Sequence, residues 1–343
     1  MIADTYIDEK IVMAADSDVG SVREQNEDFY FYSKPKKFFV VCDGMGGHRK
    51  GALASQIAAE TVRDVMLAND TLRALVMQNK FFDLSKCCQD LKDDIPVVAQ
   101  KLIAGIRLAN RRILYQATQD QEARGMGTTV SAALFHGGHI IIAHVGDSRV
   151  YRLRDGKLIC LTRDHSWLNE LIEDKEIDEE EIKNFQKKNV LTRALGLSAT
   201  LKIDLLIETL QSDDLYLICS DGLYNALNED QIQNELSLFH GSLQNKICSL
   251  IRSAKKIDGS DNITGGLAYI NGSWETAAGY VTKKQTIKDE LPEVTAYLDQ
   301  AVKTIYQPAI EKKNFHRKKT MVLAAVIFIF MVVAFLLYRA TIA

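Results

Sequence analysis

The chain has 343 residues and a formal net charge of −3, from 42 basic and 45 acidic side chains. This balance lacks the basic excess that marks proteins of the nucleic-acid-binding class, so we expect no nucleic acid as a partner. Residues 1–10 carry early charges and no apolar core of a secretory signal. We therefore expect the six cysteines, none of them in a Cys-x-x-Cys pair, to be reduced thiols in a cytosolic domain.

The first part of the chain predicts strands followed by long helices. Apolar runs predict strands over 29–32 and from residue 38, joined by a turn near Pro35. Apolar spacing typical of helices covers 51–67 and 96–119. Residues 69–93, between these helices, are irregular, and we interpret them as an accessory insertion.

The next part of the chain is rich in short apolar runs separated by glycine turns. Helical patterns occur within 162–195 and near 228–238 and 242–255. Strands are predicted over 129–135, 139–145, 150–153, 157–161, 215–219 and 263–270.

The C-terminal part differs in composition from the rest of the chain. Residues 274–320 are interpreted as a juxtamembrane linker that can dock partly on the domain, with one short helix opened by Pro292. The run 321–338 contains no charged residue and, at ~1.5 Å per residue, approaches the ~30 Å bilayer core. Basic residues at 317–319 and Arg339 flank this run, which favours a membrane span over a buried core helix. The positive-inside rule then predicts a single-pass C-terminal anchor with the main domain in the cytoplasm.

Four aspartates occur in matching positions along the chain. Asp43, Asp147 and Asp221 each follow an apolar strand and lie beside a glycine. Asp261 lies in a turn just before another strand. A single Asp-Gly pair is most simply a turn, but four in such settings suggest carboxylates that converge. Convergent carboxylates repel unless cations neutralise them, and all-oxygen sites favour Mg²⁺ or Mn²⁺. A pair of such ions ~3.5–4 Å apart can activate water for attack on phosphorus.

Two other kinds of site find little support in the sequence. The glycine-rich stretch 44–51 matches neither the dinucleotide-binding nor the Walker phosphate-binding spacing. His136, His139 and His144 could suggest zinc, but no matching cysteine or carboxylate spacing accompanies them.

The ordered motifs of the chain resemble those of the metal-dependent protein serine/threonine phosphatases, type 2C, most closely the bacterial branch. The resemblance covers roughly residues 10–271, and the ordered set is far more specific than any one motif. The motifs are Arg23 with Glu27-Asp28, Asp43-Gly44-Met45-Gly46-Gly47, Gly125-Met126-Gly127-Thr128-Thr129, Gly146-Asp147-Ser148-Arg149, Ser220-Asp221-Gly222 and Asp261-Asn262-Ile263-Thr264.

The resemblance implies an α+β fold, a four-layer α-β-β-α sandwich in which helices flank two antiparallel sheets. It implies a catalytic domain over 1–273, with a flap region over 152–195 beside the site. The implied cofactors are two Mn²⁺ or Mg²⁺ ions and a weaker third ion, and Arg23 would bind the substrate phosphate. The implied metal ligands are Asp43 as a bridge, the Gly44 carbonyl, Asp221, Asp261 and, for the third ion, Asp147, while Glu27 or Asp28 would act through metal-bound water.

The implied activity is hydrolysis of phosphoserine and phosphothreonine on proteins by a metal-bridging hydroxide. A cognate serine/threonine kinase is a candidate partner. A catalytically weak adaptor and a small-molecule phosphatase are the alternatives. One position departs from the family pattern: eukaryotic members carry a histidine, proposed as the proton donor, where this chain has Met45. His48 is near in sequence, but its spacing does not assign it that role.

Overall fold

The computed structural model describes residues 10–47, 49–67, 83–92, 94–173, 190–238, 241–276, 280–288 and 290–306. The predicted membrane anchor at 321–338 and most of the predicted insertion at 69–93 lie outside these ranges. None of the helices in these ranges combines the length and the apolar character that a bilayer crossing requires.

Two antiparallel sheets form the centre of the domain, as the resemblance implied. One sheet has the strand order β1-β11-β10-β7-β8, and the other has the order β12-β9-β6-β5-β3-β2, with β4 paired to β3. The strands are β1 (Ile11–Asp18), β2 (Asp28–Ser33), β3 (Phe38–Met45), β4 (Gly127–Thr128), β5 (Val130–His136), β6 (His139–Val145), β7 (Arg149–Arg154), β8 (Lys157–Cys160), β9 (Ile203–Thr209), β10 (Leu215–Cys219), β11 (Ile263–Ile270) and β12 (Lys283–Ile287).

Helices cover the outer faces of both sheets. The helices are α1 (Arg49–Leu67), α2 (Leu84–Cys87), α3 (Val97–Gln119), α4 (Trp167–Glu173), α5 (Asp221–Ala226), α6 (Glu229–Leu238), α7 (Leu243–Ile257) and α8 (292–306). Apolar faces of α1 and α3 pack on the sheet that contains β3, β5 and β6. Those of α5, α6 and α7 pack on the sheet that contains β1, β10 and β11.

A third apolar cluster lies between the two sheets and holds them together. It includes Met13 and Ile218 from one sheet and Phe39 and Ile142 from the other. The sheets approach closely at Gly266, where a Cβ atom would lie only 1.8 Å from the ring of Phe39. Glycine is therefore needed at this point of β11 for the sheets to pack.

The structure extends the folded unit beyond the predicted boundary at 273. Strand β12, within the predicted linker, pairs with β9 from Lys283↔Ile207 to Ile287↔Ile203. Helix α8 buries Val294 and Leu298 against α3 and the 83–92 segment. These contacts give the form of the partial docking expected for 274–320. The sequence of β12, Lys-Lys-Gln-Thr-Ile, has little apolar character of its own. Its place is fixed by backbone pairing with a distant strand, which composition does not reveal.

A carboxylate-lined candidate active site

A cavity of about 320 Å³ brings the predicted site residues together at the ends of strands from both sheets. Asp28 is the exception, since it lies behind the wall as the cross-strand partner of Asp43. The lining consists of Arg23, Glu27, Asp43, Gly44, Met45, Gly46, Gly47, Thr129, Asp147, Leu191, Asp221, Asp261 and Asn262.

Asp43 is held by a ladder of hydrogen bonds from the strand segment that follows β4. The Asp43 amide donates to Thr129 Oγ1 over 2.9 Å, and the Thr129 amide donates to the Asp43 carbonyl, also over 2.9 Å. Thr128 Oγ1 donates to the same carbonyl over 2.8 Å. These contacts fix the backbone of Asp43, so its carboxylate projects into the cavity from a rigid strand.

The glycines after Asp43 permit a very close approach between three segments. A Cβ atom on Gly44 would lie 2.1 Å from the Gly51 carbonyl oxygen, and one on Gly51 would lie 1.9 Å from Glu27 Oε2. The glycine turn therefore lets the start of α1 pack directly against Glu27 and the Gly44 carbonyl. This packing places a carbonyl and a carboxylate beside Asp43.

Asp147 lies in the short loop between β6 and β7. The preceding Gly146 has a φ of +111°, and a Cβ atom there would lie 2.6 Å from the Thr129 side chain. Tyr224 donates its hydroxyl to the Asp147 carbonyl over 3.1 Å. The loop shape is thus set by glycine and by contacts from two other elements.

Asp221 opens helix α5 directly after strand β10. Asn225 Nδ2 donates to Asp221 Oδ2 over 3.1 Å, one turn further along the helix. The preceding Ser220 donates its hydroxyl to Asp28 Oδ2 over 2.7 Å and accepts from the Thr264 amide over 3.0 Å. Ser220 therefore ties the acids of β2 and α5 to the start of β11.

Asp261 and Asn262 connect the turn before β11 with the segment around Arg23. Arg23 Nη2 donates to Asp261 Oδ2 over 2.8 Å, and half of the arginine side chain is exposed. Asn262 Oδ1 accepts from the Glu27 amide over 2.8 Å, and its Nδ2 donates to the carbonyls of Val19 and Gln25. Asn262 thus acts as a brace, a role that sequence reasoning did not assign although the residue is part of a quoted motif.

Burial, together with the crowding of acids, raises several carboxyl pKa values in the cavity. Burial, and then neighbouring negative charge, raises the pKa of Asp43 well above its usual value. Burial is also the main cause that raises the pKa of Asp28 and of Asp147 to about 7 and that of Asp221 to about 6. A hydrogen bond to Asp261 raises the pKa of Arg23. The cavity therefore has excess negative charge that a bound cation would offset.

The donor set fits hard divalent cations that retain water. The donors are carboxylates and a backbone carbonyl, which Mg²⁺ and Mn²⁺ prefer. Among the described residues, no three His, Cys, Asp or Glu side chains form a ready-made cage for one ion. Hydrated ions need fewer direct protein ligands, so a cavity lined by separated carboxylates suits them.

The histidines mentioned in the sequence do not form a zinc site in the described part of the chain. His139 bonds to the Gly137 carbonyl, and His144 bonds to Ser131 Oγ and the Arg163 carbonyl. His136 is exposed and pairs with His139 across the hairpin. His48 lies outside the described residues, whereas Met45 lines the cavity.

Comparisons with known proteins agree with this geometry. The sequence model of the family described as "Protein phosphatase 2C" matches residues 21–255. The serine/threonine phosphatase stp of Listeria innocua is 34% identical over 251 residues, which are 72% of this chain and 91% of that protein. Protein phosphatase PhpP of Streptococcus pneumoniae is 30% identical over 259 residues, 74% of this chain and 96% of that one.

Solved structures show the same relationship. The serine/threonine phosphatase PstP/Ppp of Mycobacterium tuberculosis has a TM-score of 0.62 and 30% identity, covering 76% of this chain and 99% of its own. A PstP catalytic domain solved with two manganese ions has a TM-score of 0.61 and 30% identity, with coverage of 76% and 99%. The predicted family is thereby confirmed: this chain belongs to the protein phosphatase 2C family and is a protein serine/threonine phosphatase.

Proposed function

We propose that this chain hydrolyses phosphoserine and phosphothreonine on proteins with two Mn²⁺ or Mg²⁺ ions, tethered to the cytoplasmic face of a membrane. One observation carries the catalytic part. Asp43, Asp147, Asp221 and Asp261, which are distant in sequence, line one cavity of about 320 Å³ together with Arg23.

The acids of the cavity would hold the ions, and Arg23 would hold the substrate. Asp43 and the Gly44 carbonyl would hold the first ion. Asp43 would also hold the second ion, together with Asp221 and Asp261. Asp147 would hold a third ion more weakly. When bound, the ions neutralise the phosphate and lower the pKa of a water that can attack it. Arg23, half exposed and anchored to Asp261, can present its guanidinium fork to two phosphate oxygens.

Braced residues around the acids keep the site in place during turnover. Thr128 and Thr129 fix the backbone of Asp43, and Asn262 joins the Glu27 segment to the turn that carries Asp261. Such positioning reduces the reorganisation that a reaction would otherwise require. Glu27, which lines the cavity, would hold a water molecule of the hydrated ions, whereas Asp28 lies behind the wall and would act only through Asp43 and Ser220.

The tether is supported by the sequence of the C-terminal part. Residues 321–338 are uncharged, and Arg317, Lys318 and Lys319 precede them. Because basic residues are preferentially retained on the cytoplasmic side, this order predicts that the phosphatase domain faces the cytoplasm. Substrates at or near the membrane surface would then meet the site at high effective concentration.

The catalytic proposal is tested with the full-length chain purified in detergent. Initial rates with Mn²⁺ are compared on a phosphothreonine peptide, p-nitrophenyl phosphate and a sugar phosphate, for wild type, Asp221→Asn and Asp155→Asn. Asp155, in the β7–β8 turn, is the matched control because it is an exposed aspartate outside the cavity.

We expect a metal-dependent preference for the peptide that only Asp221→Asn abolishes. Faster turnover of the sugar phosphate would instead indicate a small-molecule phosphatase, and no metal-dependent activity would indicate an adaptor.

The tether is tested by extraction of membranes with alkaline carbonate. We expect wild-type chain to stay in the membrane pellet and a Phe328→Lys, Val332→Lys double variant to move to the supernatant, because charges at the centre of a span are costly. Extraction of wild-type chain into the supernatant would contradict the tether and leave the catalytic proposal intact.

A further inference from the structure

One buried histidine holds the backbone next to Asp147 at two points. The Gly146 amide donates to His165 Nδ1 over 3.0 Å, and the His165 amide donates to the Gly146 carbonyl over 2.7 Å. The His165 side chain is only 4% exposed. Because both backbone polar groups of Gly146 bond this one residue, His165 is a main anchor of the Asp147 loop, beside Thr129 and Tyr224.

The opposite edge of the His165 ring faces a carboxylate. Since Nδ1 accepts a hydrogen bond, the proton of the neutral ring resides on Nε2. His165 Nε2 lies 3.2 Å from Asp204 Oδ2, off the direction of an ideal hydrogen bond, so the attraction is mainly electrostatic. Asp204 thus favours the tautomer that leaves Nδ1 free to accept from Gly146.

Asp204 is in turn held by the C-terminal strand. Thr286 of β12 is its cross-strand partner and donates its hydroxyl to Asp204 Oδ1 over 2.8 Å. Arg193 Nη1 lies 3.4 Å from the same oxygen. A continuous set of contacts therefore runs from β12 through Asp204 and His165 to Gly146.

His165 also contacts the segment that returns to the cavity after residue 189. The Thr192 amide donates to the His165 carbonyl over 2.9 Å, and the neighbouring Leu191 lines the cavity. One residue thus positions both the Asp147 loop and part of the cavity wall.

We propose that His165 and Asp204 are positioning residues for the Asp147 corner of the metal site, and that Thr286 links this pair to the C-terminal segment. This inference rests on the proposed metal-dependent function. The C-terminal segment, which leads towards the predicted anchor, thereby sets how tightly the Asp147 corner binds a divalent cation. Residues that orient metal ligands in this way are often as sensitive to substitution as the ligands themselves.

The first test replaces the ring in two ways and measures binding of Mn²⁺ alone by titration calorimetry on the full-length chain. His165→Ala removes the acceptor for Gly146, whereas His165→Asn can keep an acceptor near the position of Nδ1. We expect His165→Ala to weaken the weakest Mn²⁺ site by about 10- to 100-fold and His165→Asn to recover part of that loss. Circular dichroism and the melting temperature report whether each variant folds, and the isotherm is normalised to folded protein.

The second test uses exposed positions of the C-terminal segment, where unfolding is not expected. Thr286→Val removes the hydroxyl that bonds Asp204, and Thr282→Val is the matched control because its hydroxyl contacts Thr209 instead. We expect Thr286→Val to weaken the weakest site by about two- to fivefold, as for other mutations within coupled networks, and Thr282→Val to leave it unchanged. The Mn²⁺ concentration for half-maximal phosphatase rate should shift by the same factor.

Two results would overturn the inference. Unchanged Mn²⁺ isotherms in both Thr286→Val and Asp204→Asn would show that the pair does not influence the metal site. A lower melting temperature of His165→Ala with an unaltered isotherm would show a purely structural role. Calorimetry measures Mn²⁺ binding without turnover, so the two proposals can fail separately. A wild-type chain that binds Mn²⁺ but does not hydrolyse the peptide would contradict the proposed function. The Mn²⁺ isotherms of the variants would still decide this inference.

Discussion

Two clusters of buried charge in this molecule differ in how their charges are balanced. In the candidate active-site cavity, Asp43, Asp147, Asp221 and Asp261 share the lining with one basic side chain of the described residues, Arg23, which is half exposed. In the second cluster, beneath α8, the charges are paired, and we call it the α8 ion cluster. Its members are Asp90, Arg107, Arg111, Glu290 and Asp299.

The α8 ion cluster has the geometry of a structural element. Arg107 donates two hydrogen bonds to Asp90 over 2.8 and 2.7 Å, and a third to the Cys87 carbonyl over 2.8 Å. Arg111 Nη2 donates to Glu290 Oε2 over 3.1 Å. These contacts join α3 to the 83–92 segment and to the C-terminal residues.

The comparison distinguishes charged side chains that stabilise the fold from charged side chains proposed to bind metal ions. In the α8 ion cluster the acids have basic neighbours inside the protein. In the cavity, burial and then neighbouring negative charge raise the pKa of Asp43, and a bound cation would offset that excess of negative charge. Substitutions in the two clusters should therefore have opposite effects on stability and on activity. In the cavity they should lower activity and favour the metal-free fold, and in the α8 ion cluster they should lower stability and spare activity.

The largest effect is expected from Asp43→Asn. We expect kcat/KM on a phosphothreonine peptide to fall by about 10³-fold, equivalent to ~4 kcal/mol, because the proposed bridging ligand of the metal ions would be lost. The metal-free melting temperature should instead rise by roughly 3–8 °C, because asparagine carries no charge that folding must neutralise. Calorimetry with a chelator and initial rates with Mn²⁺ measure the two effects, with Asp155→Asn as control. A lower metal-free melting temperature would contradict the view that the acids are crowded.

In the α8 ion cluster, Arg107→Met should have the opposite signature. Removing Arg107 leaves Asp90 without its counter-charge and leaves Glu290 with Arg111 alone. This loss should cost about 3–5 kcal/mol of the free energy of unfolding. Urea denaturation measures this loss. We expect kcat/KM at 20 °C to stay within about twofold of wild type, since a change outside the cavity should not alter transition-state binding. Arg252→Met, at an exposed position of α7, is the matched control. A large loss of kcat/KM in folded Arg107→Met would show that the two clusters are coupled.

The pH dependence of the metal-free fold gives a smaller effect with a defined sign. Folding raises the pKa of Asp28 and Asp147 to about 7 and that of Asp221 to about 6, chiefly through burial. The folded chain thus holds protons that the unfolded chain releases near pH 4, so this stability is present at low pH and is lost as pH rises to about 7. We expect the melting temperature with a chelator to be higher at pH 5.5 than at pH 8.

Added Mn²⁺ should cancel or reverse that trend, because metal binding displaces the protons and tightens as pH rises. Differential scanning fluorimetry at both pH values, with chelator or with Mn²⁺, measures this. A metal-free chain that melts at a higher temperature at pH 8 than at pH 5.5 would refute the proposed origin of the effect.

The sequence predicted the cavity better than it predicted the supports of the cavity. Asp43, Asp147 and Asp221 were recognisable because each combines an apolar strand with a local glycine turn, and such local patterns survive in sequence. Strand β10 was predicted over its full extent for the same reason. A short helix opened by Pro292 in a partly docking linker was predicted, and α8 begins at that residue. Strand β12 and the surface on which α8 packs were not predicted, because they depend on contacts with β9 and α3.

The same limit applies to single residues. His165 lies in a charged stretch that predicts only helix, and its importance comes from the backbone of Gly146, nineteen positions away. Asn262 was quoted within a motif, but its bonds to three separate residues are visible only in the fold. Met45 is different, since the sequence identified it as a departure from the family pattern and the structure places it in the cavity wall.

The smallest effect is expected from Met45→His, which tests whether the cavity lacks a protein proton donor. A serine or threonine alkoxide must be protonated as it leaves, whereas p-nitrophenolate leaves without a proton. If this step limits the rate, the new imidazole should raise kcat on a phosphothreonine peptide by up to about tenfold. This gain is below the usual range for a general acid, because the position of the imidazole has not been optimised by evolution. Rates on p-nitrophenyl phosphate should stay within about twofold, which makes that substrate the internal control. Met45→Leu controls for the loss of the thioether, which packs near Gly127. Equal changes on both substrates would show that Met45 acts by shaping the cavity and that protonation of the leaving group is already supplied by water.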